Sequence, residues 1–175
     1  RYKSFCEKNN KKIKKTDDIV INVQLKLEDV FNNVQKNLNI KRQRKCRTCL
    51  GLGMDINGKC IECKGSKYMT YSKNFNFHSN DKKIIFQNES NEEFNLIAGD
   101  IIINTKIKPH TKYYVLNECN ILYQIETEQF DYQLNHEFKY LNDKNYNLNI
   151  ESFSLNKIYK FPELGLLNNN DQRGD

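Results

Sequence analysis

Four of the six cysteines in this 175-residue chain fall into two pairs of identical spacing, Cys46-Arg-Thr-Cys49 and Cys60-Ile-Glu-Cys63. Two intervening residues let the backbone fold into a tight knuckle that turns both thiolates toward one point. Two such knuckles supply four sulfurs, the complement of a closed tetrahedral zinc site. Glycines follow each pair (Gly51, Gly53, Gly65), where such turns need positive backbone angles and free amides to hydrogen-bond the sulfurs. The chemistry expected is one structural Zn2+ on Cys46, Cys49, Cys60 and Cys63, with no position left open for water. Two disulfides would use the same residues, but adjacent Cys-x-x-Cys pairs rarely act as staples in a chain of this size. A dithiol redox site calls for one reactive pair at a helix start. Cys6 reads as a tail thiol and Cys119 as a buried small apolar residue.

No other residues form a reactive set. His78, His110 and His136 are scattered, His110 reading as a strand-end residue, and no Ser, Asp or Glu sits in a motif that singles out a nucleophile. The chain is expected not to be an enzyme. No apolar run approaches a membrane span and no secretory segment is visible, so no membrane partner and a cytoplasmic location are expected.

Net charge is +6, with residues 1–47 at +9 and the remainder at −3. The excess lies in Lys11, Lys12, Lys14 and Lys15 and in the run Lys41-Arg42-Gln-Arg44-Lys45-Cys46-Arg47. A basic run beside a zinc knuckle is one way to bind nucleic acid. No aromatic residues interleave with these charges to stack bases, and a solvated strand end with a polar tail is the preferred reading.

The elements that must position the cysteines are strands. Residues 1–16 form a lysine-rich leader without periodicity, and order is expected from Asp18. Ile19, Ile21, Val23, Leu25 and Leu27 alternate with Val20, Asn22, Gln24 and Lys26, the pattern of a half-buried strand. A short helical or turn segment follows at 28–33. Leu38 and Ile40 share one face of a second strand that runs into Cys46, making the finger (45–67) an insertion between strands. Met69, Tyr71, Phe75 and Phe77 share one parity; 82–86 and 101–108 read as strands, and 87–98 as a polar surface loop. Beyond His110, alternation at Cys119, Ile121, Tyr123 and Ile125 and again at Tyr146, Leu148 and Ile150 marks further strands. Residues 142–145 carry hairpin-turn chemistry, and a short strand is expected at Tyr159 and Phe161. The class expected is all-β: two small sandwich- or barrel-like domains in tandem, 17–110 with the finger inserted and 111–175.

In this order the motifs resemble the carboxy-terminal client-binding region of a zinc-finger (type I) DnaJ co-chaperone. The resemblance is carried by Asp18–Leu27 with Glu28-Asp29-Val30, the run 41–46, Cys-x-x-Cys-x-Gly-x-Gly at 46–53 and Cys-x-x-Cys-x-Gly at 60–65. It continues through Gly99-Asp100, Lys108-Pro109-His110, Phe161-Pro-Glu-Leu-Gly165 and Arg173-Gly174-Asp175, where it favours a strand entrance over an adhesion motif. It implies a molecule that binds unfolded or nascent polypeptide and works, in the full-length protein, with a DnaK-type chaperone. The family's finger has four Cys-x-x-Cys repeats on two zincs; with two repeats here, the body-proximal zinc is the one expected. No J-domain lies in this chain, so the chain alone is not expected to stimulate a partner ATPase. It stops before the family's last strand and dimerisation helix, so a monomer is expected, the full-length protein being a homodimer. The family's client groove accepts an extended apolar peptide beside the opening strand of the first β domain; by position its lining is Ile19, Leu38, Ile40, Phe75 and Ile103. Nucleic-acid binding through 41–47 stands as the alternative, to be told apart by steep salt dependence.

Overall fold

The structure, a computed structural model, describes residues 14–56, 58–126, 133–152, 154, 157–168 and 172–175. The readings of Cys6 and of the leader before Lys14 lie outside them. Among the described residues the regular elements are eleven strands and one five-residue helix, and the all-β expectation holds. They are β1 (Ile19–Leu25), α1 (Leu27–Phe31), β2 (Gln35–Lys45), β3 (Met54–Asp55), β4 (Gly58–Lys59) and β5 (Tyr68–His78). β6 (Lys83–Phe86), β7 (Ile101–Ile107), β8 (Tyr113–Leu116), β9 (Asn120–Tyr123), β10 (Leu134–Lys139) and β11 (Asn145–Ile150) complete the set.

The elements gather into two compact units. The first holds the described residues up to Val23, with Lys36–Phe77 and Asp81–Thr105; the second holds Gln24–Gln35, His78–Asn80 and the described residues from Lys106 onward. In the first, β1, β7 and β6 form a three-stranded sheet in that order, while β2 pairs with β5 and β3 with β4. The odd positions Ile19, Ile21 and Val23 of β1 turn inward, as their alternation requires. On β2 the inward set is Leu38, Ile40, Arg42 and Arg44. Asparagine, a poor strand former, is accommodated on the outer face by amide pairs: Asn37 Nδ2 donates to Asn76 Oδ1 at 2.8 Å and Asn39 Nδ2 to Asn74 Oδ1 at 2.6 Å. These pairs put β2 and β5 in opposite directions and carry both strands to the finger, whose neck closes where the Cys46 amide donates to the Lys67 carbonyl at 2.9 Å.

Order begins earlier than Asp18. Lys15 makes a parallel bridge with Ile97, and Thr16 is buried, its Oγ1 donating to the Asn91 carbonyl at 2.7 Å and accepting from the Gly99 amide at 2.8 Å. Gly99 is a glycine for want of room: a Cβ there would stand 2.5 Å from the Thr16 carbonyl oxygen and 2.7 Å from that of Asp17. The Gly99-Asp100 motif thus marks where the chain's opening segment crosses the start of β7.

In the second unit, α1 buries Leu27, Val30 and Phe31 and carries Glu28 and Asp29 in its first turn, where carboxylates suit the positive end of the helix. It stops at Asn32 and at Asn33, which adopts a left-handed φ of 48°. Two hairpins follow, β8–β9 and β10–β11, both antiparallel. β8 and β10 were not expected: Tyr113–Leu116 has four large side chains in a row, and Leu134–Lys139 alternates too briefly to stand out. The turn at 142–145 joins β10 to β11 as its chemistry suggests, with Asn142 Oδ1 accepting from the Lys144 amide at 3.1 Å. The strand expected at Tyr159 and Phe161 is absent; that segment is irregular. Tyr159 instead turns its hydroxyl to local backbone, bonding the Ser152 carbonyl and the Ser154 amide at 3.0 Å each. Cys119 is only half-buried.

The unit's core is aromatic. Tyr113 lies 5.0 Å from Tyr123 and 5.4 Å from Tyr140, which meets Phe31 edge-on at 5.2 Å. The motifs ending at Gly165 and Asp175 meet here. The Gly165 amide donates to the Gly174 carbonyl at 2.8 Å, the Gly174 amide to the Leu166 carbonyl at 3.0 Å, and the Leu166 amide to the Cys119 carbonyl at 2.6 Å. A Cβ on either glycine would overlap the Cys119 carbonyl.

Candidate metal centre and apolar cluster

The finger is held at its neck by the ends of β2 and β5 and folded on itself by the β3–β4 hairpin, in which Met54 pairs with Lys59 and Asp55 with Gly58. Each knuckle turns on a residue of positive φ directly after its second cysteine, Leu50 at 52° and Lys64 at 51°. Gly53, at φ 81°, has no room for a side chain: a Cβ would sit 2.9 Å from Lys67 Cγ and 3.0 Å from the Gly65 carbonyl. Its amide donates to Cys49 Sγ at 3.2 Å.

These turns bring Cys46, Cys49, Cys60 and Cys63 together, all buried, with the four sulfurs within 4.8 Å of one another. Cys46 and Cys60 sulfurs are 3.9 Å apart, Cys49 and Cys63 3.7 Å. Both distances exclude a disulfide and match the roughly 3.8 Å edge of a tetrahedron of sulfurs about 2.3 Å from a central zinc. Burial acts to raise the Cys63 thiol, but the Lys67 and Gly65 amides and its cysteine neighbours hold it below its usual range. The Cys63 and Glu62 amides pull the Cys60 thiol down. Burial and hydrogen bonds shared with Cys63 and Cys49 outweigh them and push it up to about 11. Four crowded sulfurs cannot all be thiolates unless a cation sits among them. The donor set therefore fits a bound metal ion, and these four residues are where it would be held.

The five positions expected to line a groove gather in one apolar cluster of the first unit. Ile40, Phe75 and Ile103 lie inside it, buried with Phe77 and Ile101. Ile19 and Leu38 pack against it and keep part of their surface, as do Ile21, Val23, Ile84 and Phe86. Among the described residues β1 pairs with β7 alone and β2 with β5 alone, so each is an edge strand.

The basic run flanking this cluster is engaged within the fold. Arg42 is buried, its Nη1 bonded to the Glu89 carboxylate and, at 2.6 Å, to the Glu89 carbonyl. Burial first, then the neighbouring Arg44, lowers its pKa. Lys73 Nζ meets the other Glu89 oxygen at 2.7 Å, and both cations lie over the Phe75 ring, at 5.4 and 5.3 Å. Arg44 pairs with Glu92 at 3.1 Å, and Arg47 lies 5.3 Å over the Tyr71 ring. The polar surface loop expected at 87–98 supplies the acidic counterpart of the run; it also takes the outward amides of Gln43 and Lys45 on Asn91 and Glu92 at 2.8 and 2.7 Å. Strand parity held the signal for this arrangement, since Arg42 and Arg44 share the face of Leu38 and Ile40.

Three curated relatives set the chain among known proteins. Chaperone protein dnaJ A6 of Oryza sativa subsp. japonica is 23% identical over a 147-residue alignment, which covers 55% of this chain and 35% of that protein. DnaJ protein homolog 1 of Allium porrum is 33% identical over 78 residues, covering 41% of this chain and 20% of its own length. DnaJ protein homolog xdj1 of Schizosaccharomyces pombe is 31% identical over 80 residues, covering 42% and 19%. The chain thus spans about a third, at most, of the length of these relatives. Its residues 19–175 match the family described as DnaJ C terminal domain, and the chain belongs to that family.

Proposed function

We propose that this chain is the client-holding region of a DnaJ-type co-chaperone: it binds extended apolar segments of unfolded or nascent polypeptide without chemistry of its own. In the full-length protein it works with a DnaK-type chaperone. The observation that carries the reading is the juxtaposition of two edge strands, β1 and β2, with partly exposed Ile19 and Leu38 above a buried apolar floor of Ile40, Phe75 and Ile103. An edge strand offers unpaired amides and carbonyls to an incoming strand, and the apolar side chains beside it take alternate residues of the peptide. At Gln43 and Lys45 the outward edge of β2 is already occupied, so client addition belongs to its earlier part. Cys46, Cys49, Cys60 and Cys63 hold one zinc, whose chemistry is that of a cross-link: it fixes the finger and leaves no position for substrate.

The test is suppression of aggregation of a chemically denatured model protein by wild type and by Ile19→Ser/Leu38→Ser, chosen because both side chains are half-exposed and the buried floor stays intact. Metal content and far-UV circular dichroism establish that the variant is folded. Wild type is expected to suppress aggregation and the variant to do so several-fold less well. A folded variant equal to wild type would remove the groove from the proposal. Wild-type activity that collapses with added salt would point to charge instead.

A further inference from the structure

The finger carries a feature that neither the metal nor the groove uses. Leu50, Leu52, Met54, Ile56 and Ile61 are 77, 65, 64, 99 and 82% exposed, on a stretch where, among the described residues, the buried side chains are those of the cysteines. Leu50 also holds a left-handed φ of 52°, a conformation that costs energy for a bulky side chain, and still leaves most of that side chain exposed. Single exposed aliphatic residues need no explanation, but five in one short segment mark a docking surface.

Its charge indicates what docks. Lys45, Arg47, Lys59, Lys64 and Lys67 face only Asp55 and Glu62 across residues 45–67. Three of the lysines lie with their stems against the finger's glycines: Lys45 within 3.3 Å of a Cβ placed at Gly51, Lys67 within 2.9 Å of one at Gly53 and Lys59 within 3.7 Å of one at Gly65. An apolar stem laid over the knuckle suits a side chain at an interface between apolar and aqueous phases, where the ammonium stays in water. Protein interfaces, by contrast, are depleted in lysine and enriched in aromatic anchors, and residues 45–67 contain no aromatic side chain. We propose that the finger tip docks on an anionic lipid surface, the aliphatic side chains entering the headgroup–acyl boundary and the lysines meeting lipid phosphates and carboxylates. The absence of an apolar run long enough to span a bilayer does not bear on a tip that only rests on one.

The experiment is co-sedimentation of the zinc-loaded chain with phosphatidylcholine vesicles, with and without phosphatidylserine. Binding is expected to the phosphatidylserine vesicles and to fall as salt rises. Leu52→Asp/Ile56→Asp should weaken it at least about tenfold, and Lys59→Glu/Lys64→Glu should abolish the preference for phosphatidylserine. These positions are exposed, so full metal content in each variant shows the finger intact. Ile158→Asp, an equally exposed position outside the finger, and the groove variant Ile19→Ser/Leu38→Ser should both bind vesicles like wild type, which separates this inference from the client reading. No binding to either vesicle, or equal binding by the Leu52→Asp/Ile56→Asp variant, overturns the proposal. So does a variant that loses only its capture of denatured protein, which would make the tip a polypeptide surface instead.

Discussion

At the scale of single residues, the finger depends on four sulfurs and on the glycines that let them converge. Cys60→Ser removes one of the four sulfurs of the buried set and should weaken metal binding by more than about 100-fold, above the usual effect of losing an outer-sphere partner. Competition with a chromophoric chelator reads this directly. Because protons and metal compete for the same thiolates, metal should also be released progressively on acidification. Gly53→Ala forces a side chain into a left-handed turn against Lys67 Cγ and the Gly65 carbonyl, a strain of about 1–2 kcal/mol; faster metal release is the readout. Arg173 shows the same dependence on one side chain in the second unit. Its guanidinium donates to the Gly165 carbonyl at 3.0 Å and the Phe31 carbonyl at 3.2 Å, and lies 4.2 Å over the Phe31 ring. Arg173→Ala should cost about 2–3 kcal/mol in urea unfolding, and Arg173→Lys should recover little, since lysine lacks the planar fork. An Arg-Gly-Asp triplet so engaged is a structural joint.

Among the elements, the entrance of β7 is the most finely adjusted. Asp100 Oδ1 accepts from the Asn88 amide at 2.8 Å and from Lys15 Nζ at 3.5 Å, while the Asp100 amide donates to Asp18 Oδ1 at 2.7 Å. The Asn88 amide first, with Lys15, holds the Asp100 carboxyl below the usual carboxylate range against the opposing effect of burial. The folded pKa is depressed, so this carboxylate contributes stability above the unfolded value near about 3.9. That contribution disappears as pH falls through the lower folded value. Urea midpoints across the acid range should show this loss in wild type and a flatter acid limb in Asp100→Asn. Gly99→Ala, at the crossing with Thr16 and Asp17, should be the more damaging change at any pH, because there the obstructing atoms are backbone.

Across the molecule, the two units are held by different kinds of core. The first packs aliphatic side chains and phenylalanines between strands, while the second relies on tyrosines whose hydroxyls find carbonyls, Tyr113 to Lys139 at 3.1 Å and Tyr140 to Leu164. Burial pushes Tyr113 up to about 12 and raises Tyr140 and Tyr123 as well. A tyrosine whose folded pKa is raised contributes stability fully below the unfolded value near about 10, and loses it as pH climbs from there through the folded value. Alkaline titration should therefore show delayed tyrosinate absorbance. Loss of the second unit's near-ultraviolet dichroism should begin above pH about 10 and be complete near the upper value.

Spacing and alternation were enough, by themselves, to determine which four cysteines converge, the inward faces of β1 and β2, the insertion of the finger between strands and the strand-dominated class. Those properties are local: a Cys-x-x-Cys knuckle and a period of two are written into consecutive residues. The tertiary structure decided what depends on partners distant in the chain. It paired Arg42 and Arg44 with Glu89 and Glu92, turning a run that reads as a solvated strand end into a buttress for Phe75, and it laid the polar loop 87–98 along a strand edge. It completed hairpins through β8 and β10, whose patterns are too short to be legible alone, and left Tyr159 and Phe161 in irregular chain. Exposure of Leu50, Leu52, Met54, Ile56 and Ile61 was likewise invisible in sequence. An aliphatic residue beside a cysteine reads equally well as core, and only the folded knuckle, with its interior filled by sulfur, shows that no core remains for it to join.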